Sequence, residues 1–284
     1  MNNLLDKIKK YEIGLIYKIK KYVTTYTFEN KDKNELKQTV QLFYYNRKIC
    51  LEKYGHISYW DISNVTSISF LFDSLEKFNE DISRWDTSNV KKMTGTFSKC
   101  YNFNQDISHW NTSNVFCMSL MFNCCMNFNQ NLNNWDVSNV KYMISMFKRC
   151  VLFNGNISRW NIYNVKCMSC MFEYCKKFNQ NLSSWNVDNA KDMSSMFYNC
   201  LNFNQPLNNW NVKNVLFMDK MFYNCINFNQ PLDNWDTSNV RTMNYMFYWC
   251  INFNQNISNW YLHSELSNFC MFNHCSISEI NKFE

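Results

Sequence analysis

One tryptophan returns at every 25th residue, and this interval constrains the fold more than any local motif. A phenylalanine occurs at the same interval from Phe72 to Phe272, and a cysteine from Cys100 to Cys275. Neither row misses a position, and no insertion shifts the interval. A fixed period of about 20–50 residues is typical of stacked repeats, each of which contacts its neighbours. The tryptophan row, which we expect to be a buried structural ladder, consists of Trp60, Trp85, Trp110, Trp135, Trp160, Trp185, Trp210, Trp235 and Trp260.

Four segments are predicted along the chain. Residues 1–28 form a basic amphipathic helix, residues 29–55 a helical cap, residues 56–275 an array of nine repeats, and residues 276–284 a short tail. Residues 1–55 contain 12 Lys and Arg against 6 Asp and Glu, whereas the remainder contains 17 of each kind. A repeat array without net positive charge is a poor phosphate binder, so we expect no nucleic acid partner there.

The first helix has two interpretations, and the sequence leaves both open. Apolar residues recur at helical spacing from Leu4 to Val23, while Lys7, Lys10 and Lys18 lie off that face. The helix either packs on the open end of the array or makes a peripheral membrane or partner contact through residues 1–23.

Each repeat is predicted to hold a short strand followed by a helix, as in a leucine-rich-repeat-like α/β solenoid. In residues 157–165, Trp160 and Ile162 alternate inward as they would in a strand. Ser138 or Asn139 is then placed to cap a helix. The expected inner face of that helix, at steps of three and four, is formed by Val140, Met143, Met146, Phe147 and Cys150.

Two asparagine rows also follow the period, from Asn64 to Asn239 and from Asn79 to Asn254. An asparagine side chain both donates and accepts hydrogen bonds. Stacked backbones hold polar groups that need partners. We therefore expect these rows to join each repeat to the next, rather than to bind a ligand.

Fourteen cysteines raise the question of disulfides or metal, and the pattern favours neither. A zinc site needs four converging ligands, usually from paired C-x-x-C motifs, and here one such motif spans Cys167 and Cys170. The sequence shows no secretory signal and no membrane-spanning stretch. We expect reduced, core-facing thiols, no metal site and a cytoplasmic location.

No catalytic constellation is visible. The four histidines share no spacing with a nucleophile, and no glycine-rich phosphate loop is present. A group repeated in every turn is a structural device, whereas a catalytic site needs one constellation in one place. We therefore expect no catalytic residues, no cofactor and no enzyme, but a scaffold that binds a partner protein.

The expected binding surface is the set of residues that flank the tryptophans and vary between repeats. Repeated inward positions are fixed by packing, so variation marks the outer face, and stacked repeats present such faces as extended strips. The alternative is a solvated face without a partner. The predicted strand-face residues are Arg84, Asp86, His109, Asn111, Asp136, Arg159, Asn161 and Tyr163.

The string WDVSNVKYM of residues 135–143, the MF and Cys that follow it, and the FNQNL of neighbouring repeats together resemble the repeat of the BspA-like leucine-rich-repeat family, also known as a domain of unknown function first noted in mycoplasma lipoproteins. The resemblance covers about residues 33–275. It implies a curved leucine-rich-repeat-like array with a binding role, and no catalytic or ligand residues. Bacterial members are surface lipoproteins or adhesins. The missing signal peptide and lipobox favour an intracellular or large-DNA-virus member, with an adhesin-like surface protein as the alternative.

Overall fold

The computed structural model describes residues 33–261 and 266–282. Helix α1 covers Lys33–Tyr45 and helix α2 covers Arg47–Tyr54. Short 3-10 helices cover Ile57–Tyr59 and Glu279–Asn281. The predicted helix of residues 1–28, and with it the membrane contact of residues 1–23, lies outside the described residues.

The two α-helices pack against the first repeat. The apolar residues of α1 follow helical spacing, and Leu36, Val40 and Phe43 are buried. The ring of Phe43 meets that of Trp60 edge-on, with centroids 5.8 Å apart. Trp60 Nε1 also donates to the carbonyl oxygen of Tyr54 at 3.0 Å. Where the sequence predicted a helical cap over residues 29–55, the structure has two helices that meet at Asn46.

Within residues 56–261 and 266–275, the repeats form a stack of nine coils that are joined by parallel β-bridges. Eight bridges connect residues 25 apart, from Ser67 with Lys92 to Thr242 with Ser267. The 25-residue period of the sequence is therefore the period of the structure. Each bridge is isolated, and the described residues contain no longer strand. The expected α/β array of strand-plus-helix repeats is wrong.

The segment predicted as a helix, residues 140–150, is a run of turns hydrogen-bonded to the next coil. The N–H groups of Met143 and Ser145 donate to the carbonyl oxygens of Cys167 and Ser169, at 3.0 and 2.9 Å. The N–H of Met146 donates within its own coil, to Met143, at 3.2 Å. An α-helix instead directs its N–H groups to residues four earlier in the same segment. Ser145, with φ 54°, also has a left-handed backbone that excludes a helix.

The segment predicted as a strand, residues 157–165, consists of two successive turns. The N–H of Trp160 donates to the carbonyl oxygen of Ile157 at 3.2 Å, and that of Val165 to Ile162 at 2.9 Å. Asn156 Oδ1 accepts a hydrogen bond from the N–H of Ser158, a side-chain turn that short polar residues favour. Trp160 and Ile162 are both buried, but because of these turns rather than strand alternation.

Three rows of aromatic rings fill the core between the coils. Phe122 stacks on Phe128 of its own coil at 4.0 Å and on Phe147 of the next at 5.4 Å. Trp135 and Trp160 lie parallel with centroids 6.5 Å apart. Burying one large apolar side chain contributes roughly 1.5–3 kcal/mol, so these rows supply the main cohesion of the stack. All nine tryptophans of the row are buried.

Candidate binding surfaces

The variable residues beside the tryptophans form a row on the outside of the two-turn segments. We call the eight predicted strand-face residues the tryptophan-flanking row. Every member is exposed, and the Tyr163 side chain is exposed to 47%. The row therefore faces solvent, but it does not lie on a strand.

Half of the tryptophan-flanking row shapes the local turns. Asp86 Oδ1 accepts from the N–H of Ser88 at 2.9 Å, and Asn111, Asp136 and Asn161 accept in the same way from the residue two later. The Ser88 hydroxyl, followed by its N–H, lowers the pKa of Asp86. Aspartate and asparagine share this acceptor oxygen, which explains why both occur here. The alternation of Asp and Asn was the signal for a turn that the sequence interpretation missed.

The other half of the row carries side chains that are free of this role. The guanidinium carbon of Arg84 lies 5.7 Å from the ring centre of Tyr59. The backbone N–H of Arg159 donates to Asn133 Oδ1 at 2.8 Å, which leaves its side chain outside that bond. His109 is exposed on a coil between those of the two arginines, and Tyr163 is exposed on the coil of Arg159. The structure thus places these four residues on one side of the stack, on three coils.

Asparagine side chains hold successive coils at a constant offset. Asn189 Nδ2 donates to the carbonyl oxygen of Tyr163, 26 residues earlier, at 2.8 Å, and the same bond recurs from Asn89 to Asn239. In the second row, Asn129 Oδ1 accepts from the N–H of Asn154 at 2.7 Å. Both rows join neighbouring coils, although their side chains lie at the surface.

The recurrent cysteines from Cys100 to Cys250 are buried hydrogen-bond donors, and Cys275 at the end of the row is half-buried. Cys150 Sγ lies 2.9 Å from the carbonyl oxygen of Phe122, and its burial raises the pKa of the thiol well above 9.0. Cys125 is buried while the adjacent Cys124 is half-buried. Burial also raises the pKa of Cys170 to about 12. In the part of the chain that the structure describes, no three His, Cys, Asp or Glu side chains converge as metal ligands would.

The bridged segments form a second surface, which the sequence interpretation took for helices. We define the ladder face as the outward side chains of residues 66–74 and of the equivalent segments, at 25-residue intervals, up to 266–274. These segments carry ten basic and four acidic residues. The rest of residues 56–284 carries seven basic and thirteen acidic residues. The neutral net charge of the array therefore conceals a basic side and an acidic remainder.

Basic residues line one border of the ladder face. Lys141, Lys166 and Lys191 are exposed and occupy equivalent positions in three consecutive coils. The N–H of Lys166 donates to the carbonyl oxygen of Lys141 at 2.9 Å, and that of Lys191 to Lys166 at 2.8 Å. Bridged backbones lie about 4.8 Å apart, so three ammonium groups converge on a short stretch of surface. We call these three residues the lysine row.

Aromatic side chains line the opposite border over the later coils. Tyr198 and Tyr223 stack with ring centres 4.5 Å apart, and Tyr223 and Tyr248 with centres 4.9 Å apart. Their burial and mutual proximity, with Tyr174 beside them, raise the pKa of Tyr198 to about 12. Further along, Trp249 stacks on His274 at 4.3 Å. We call the four tyrosines Tyr174, Tyr198, Tyr223 and Tyr248 the tyrosine ridge.

Stacked coils with a fixed interior and two variable outer surfaces define the class of this chain as a repeat protein. Residues 37–150, 107–210 and 185–283 match the family described as Mycoplasma protein of unknown function, DUF285. The chain belongs to this family, which confirms the resemblance visible in the sequence. No curated protein matches the chain. The family description assigns no activity.

Within the described residues, no helix has the length and apolar character needed to cross a bilayer.

Proposed function

We propose that the chain is a non-enzymatic scaffold that binds a partner protein through the tryptophan-flanking row. The observation that supports this proposal is the contrast between the two sides of each turn. Trp85, Trp110 and Trp135 repeat and are buried, whereas the residues just before them, such as Arg84 and His109, differ from coil to coil and are exposed. A merely solvated surface does not require arginine, histidine and tyrosine, the residue types that contribute strongly to protein interfaces.

A reducing, cytoplasmic location fits the same proposal. The fourteen cysteines are all unbridged, and reduced thiols persist in compartments where disulfides do not form. The competing role is membrane association through residues 1–23. In that segment the sequence predicts an apolar helix face with lysines beside it, which suits a membrane surface.

The test is affinity capture with the double variant Arg84→Glu and Arg159→Glu. Both side chains are exposed, so thermal stability is expected to change little, by within about 0.5 kcal/mol. Capture of the protein that the wild type retains is expected to fall sharply. The control, Lys176→Glu with Lys177→Glu, makes the same charge change at exposed positions on another side of the coils. Unchanged capture by the Arg variant, with loss on deleting residues 1–23 and co-sedimentation with liposomes, refutes the proposal.

A further inference from the structure

We propose that the ladder face is a second binding surface, separate from the tryptophan-flanking row, and that it takes an extended acidic segment of a partner protein. The sequence gives no hint of this surface, because its net charge becomes visible only when the bridged segments are separated from the rest of each coil. The proposal rests on three features of the face: its charge, the chemistry of its tyrosines and the position of its acidic residues.

The charge of the ladder face selects an anionic partner. Its excess of basic over acidic residues is six, and the lysine row concentrates three of them at one border. The ion pairs among the described residues include Lys148 with Glu173 at 2.8 Å, but none involves the lysine row. Clustered exposed cations of this kind attract and orient an oppositely charged chain.

The tyrosine ridge favours a peptide over a single-stranded nucleic acid. Nucleic acid platforms offer the flat faces of aromatic rings to the bases. Here Tyr223 is stacked between Tyr198 and Tyr248, with interplanar angles of 13° on both sides. Both faces of Tyr223 are therefore covered by neighbouring rings, and its ring edge remains for a partner. The edge of an aromatic ring is its electropositive part, which suits carboxylates and peptide carbonyls.

The acidic residues of the face argue in the same direction. Glu173 is paired with Lys148, but Asp192 and Asp219 interrupt the basic surface in the next two coils. A continuous phosphate backbone would meet these carboxylates at close range, with repulsion at each. A peptide carries charge only at chosen side chains, so its neutral positions can lie over them. An acidic segment in extended conformation therefore fits both the cations and the interruptions.

The test uses the full-length chain and a short fluorescein-labelled peptide in which Asp and Glu alternate with Ser. Fluorescence anisotropy measures its binding to the wild type and to the triple variant Lys141→Glu, Lys166→Glu and Lys191→Glu. We expect salt-sensitive binding by the wild type and a loss of at least about tenfold in the variant, because three attractive charges become repulsive. The matched control makes the same charge change elsewhere, with Lys77→Glu, Lys176→Glu and Lys177→Glu, all exposed and outside the ladder face.

Each alternative has its own outcome. No peptide binding by the wild type at low salt, or equal losses in the two triple variants, overturns the proposal, since the second result would reflect overall charge alone. If a single-stranded oligothymidylate of matched charge binds more tightly than the peptide, the partner is a nucleic acid and the proposal is wrong. If light scattering shows that the wild type self-associates and that only the ladder-face variant does not, the face binds a second copy of the chain and the proposal is wrong. Capture experiments on Arg84 and Arg159 are unaffected by any of these results, so the two proposals fail separately.

Discussion

Trp135 Nε1 donates a hydrogen bond of 3.0 Å to the carbonyl oxygen of Ile107, which lies 28 residues earlier in the chain. The same bond recurs in each coil from Trp85 to Trp260. A buried N–H without an acceptor is costly, so the indole serves both as core packing and as a polar link between coils. The indole combines a large apolar surface with a single N–H donor, which fits a row in which tryptophan is never replaced.

Replacing this tryptophan is expected to destabilise the stack strongly. Trp135→Ala leaves a cavity and removes the donor to Ile107, with an expected cost of about 3–5 kcal/mol in the free energy of unfolding. Chemical denaturation followed by circular dichroism measures the loss. Asn134→Ala, at an exposed position next to it, is the control and should stay within about 0.5 kcal/mol. Similar losses in both variants would contradict the ladder role.

Because residues of the tryptophan-flanking row stabilise turns with a side-chain oxygen, two substitutions of one such residue should differ in their effect on stability. Asp136 Oδ1 accepts from the N–H of Ser138 at 2.9 Å. Asp136→Asn keeps an acceptor in this place and should leave stability unchanged. Asp136→Ala removes the acceptor and should cost about 0.5–1.5 kcal/mol. Thermal denaturation of the two variants decides the point, and equal stability of both would show that the turn does not need the side chain.

The buried thiols predict that stability falls in alkaline solution. Burial raises the pKa of Cys125, Cys150 and Cys175 well above 9.0, the ordinary value that applies to the unfolded chain. Above pH 9.0 the unfolded thiols lose their protons while the folded ones keep them. The stabilisation is therefore complete below that pH and is lost as the pH rises toward the folded pKa.

Each such thiol should lower the unfolding free energy by about 1.4 kcal/mol per pH unit in this range. Denaturant midpoints measured under reducing conditions from neutral to alkaline pH test this expectation. The variant Cys150→Ala is the control for one site, because it should reduce the slope by the contribution of one proton, whatever its effect at neutral pH. A flat profile above pH 9.0 would place the thiols in solvent.

The sequence identified the period, the buried rows and the family, because each depends on which residues repeat. It did not identify the local backbone. Inward residues such as Met143, Met146 and Phe147 follow steps of three and four in a helix, but a run of turns closed by hydrogen bonds over three residues produces the same steps. Hydrophobic periodicity reports which side chains are buried, and it cannot distinguish these two paths.

A more specific signal for the turns was present at the left-handed positions. Among the described residues, each of the nine coils has two with positive φ, and the set includes Gly95, Asn199 and Asn224. None of these positions holds Val, Ile or Thr, which tolerate positive φ poorly. The ladder face was missed for the same reason, since its charges segregate only once the path of the coil is known.

Replacing Lys99 by glycine distinguishes a left-handed turn from a helix, because the two structures predict different changes in stability. Lys99 is exposed and has a left-handed backbone, with φ 60°, near the end of the segment that was expected to be helical. A lysine in this conformation carries a strain of about 1 kcal/mol that glycine does not. Lys99→Gly is therefore expected to keep or increase stability. In a helix, the same change would cost about 1 kcal/mol. Lys91→Gly, at an exposed position in the same segment outside the positive-φ set, is the control and should be destabilising. Thermal denaturation of both variants gives the answer: destabilisation of similar size at the two positions would contradict the left-handed turn, whereas a loss at Lys91 alone supports it.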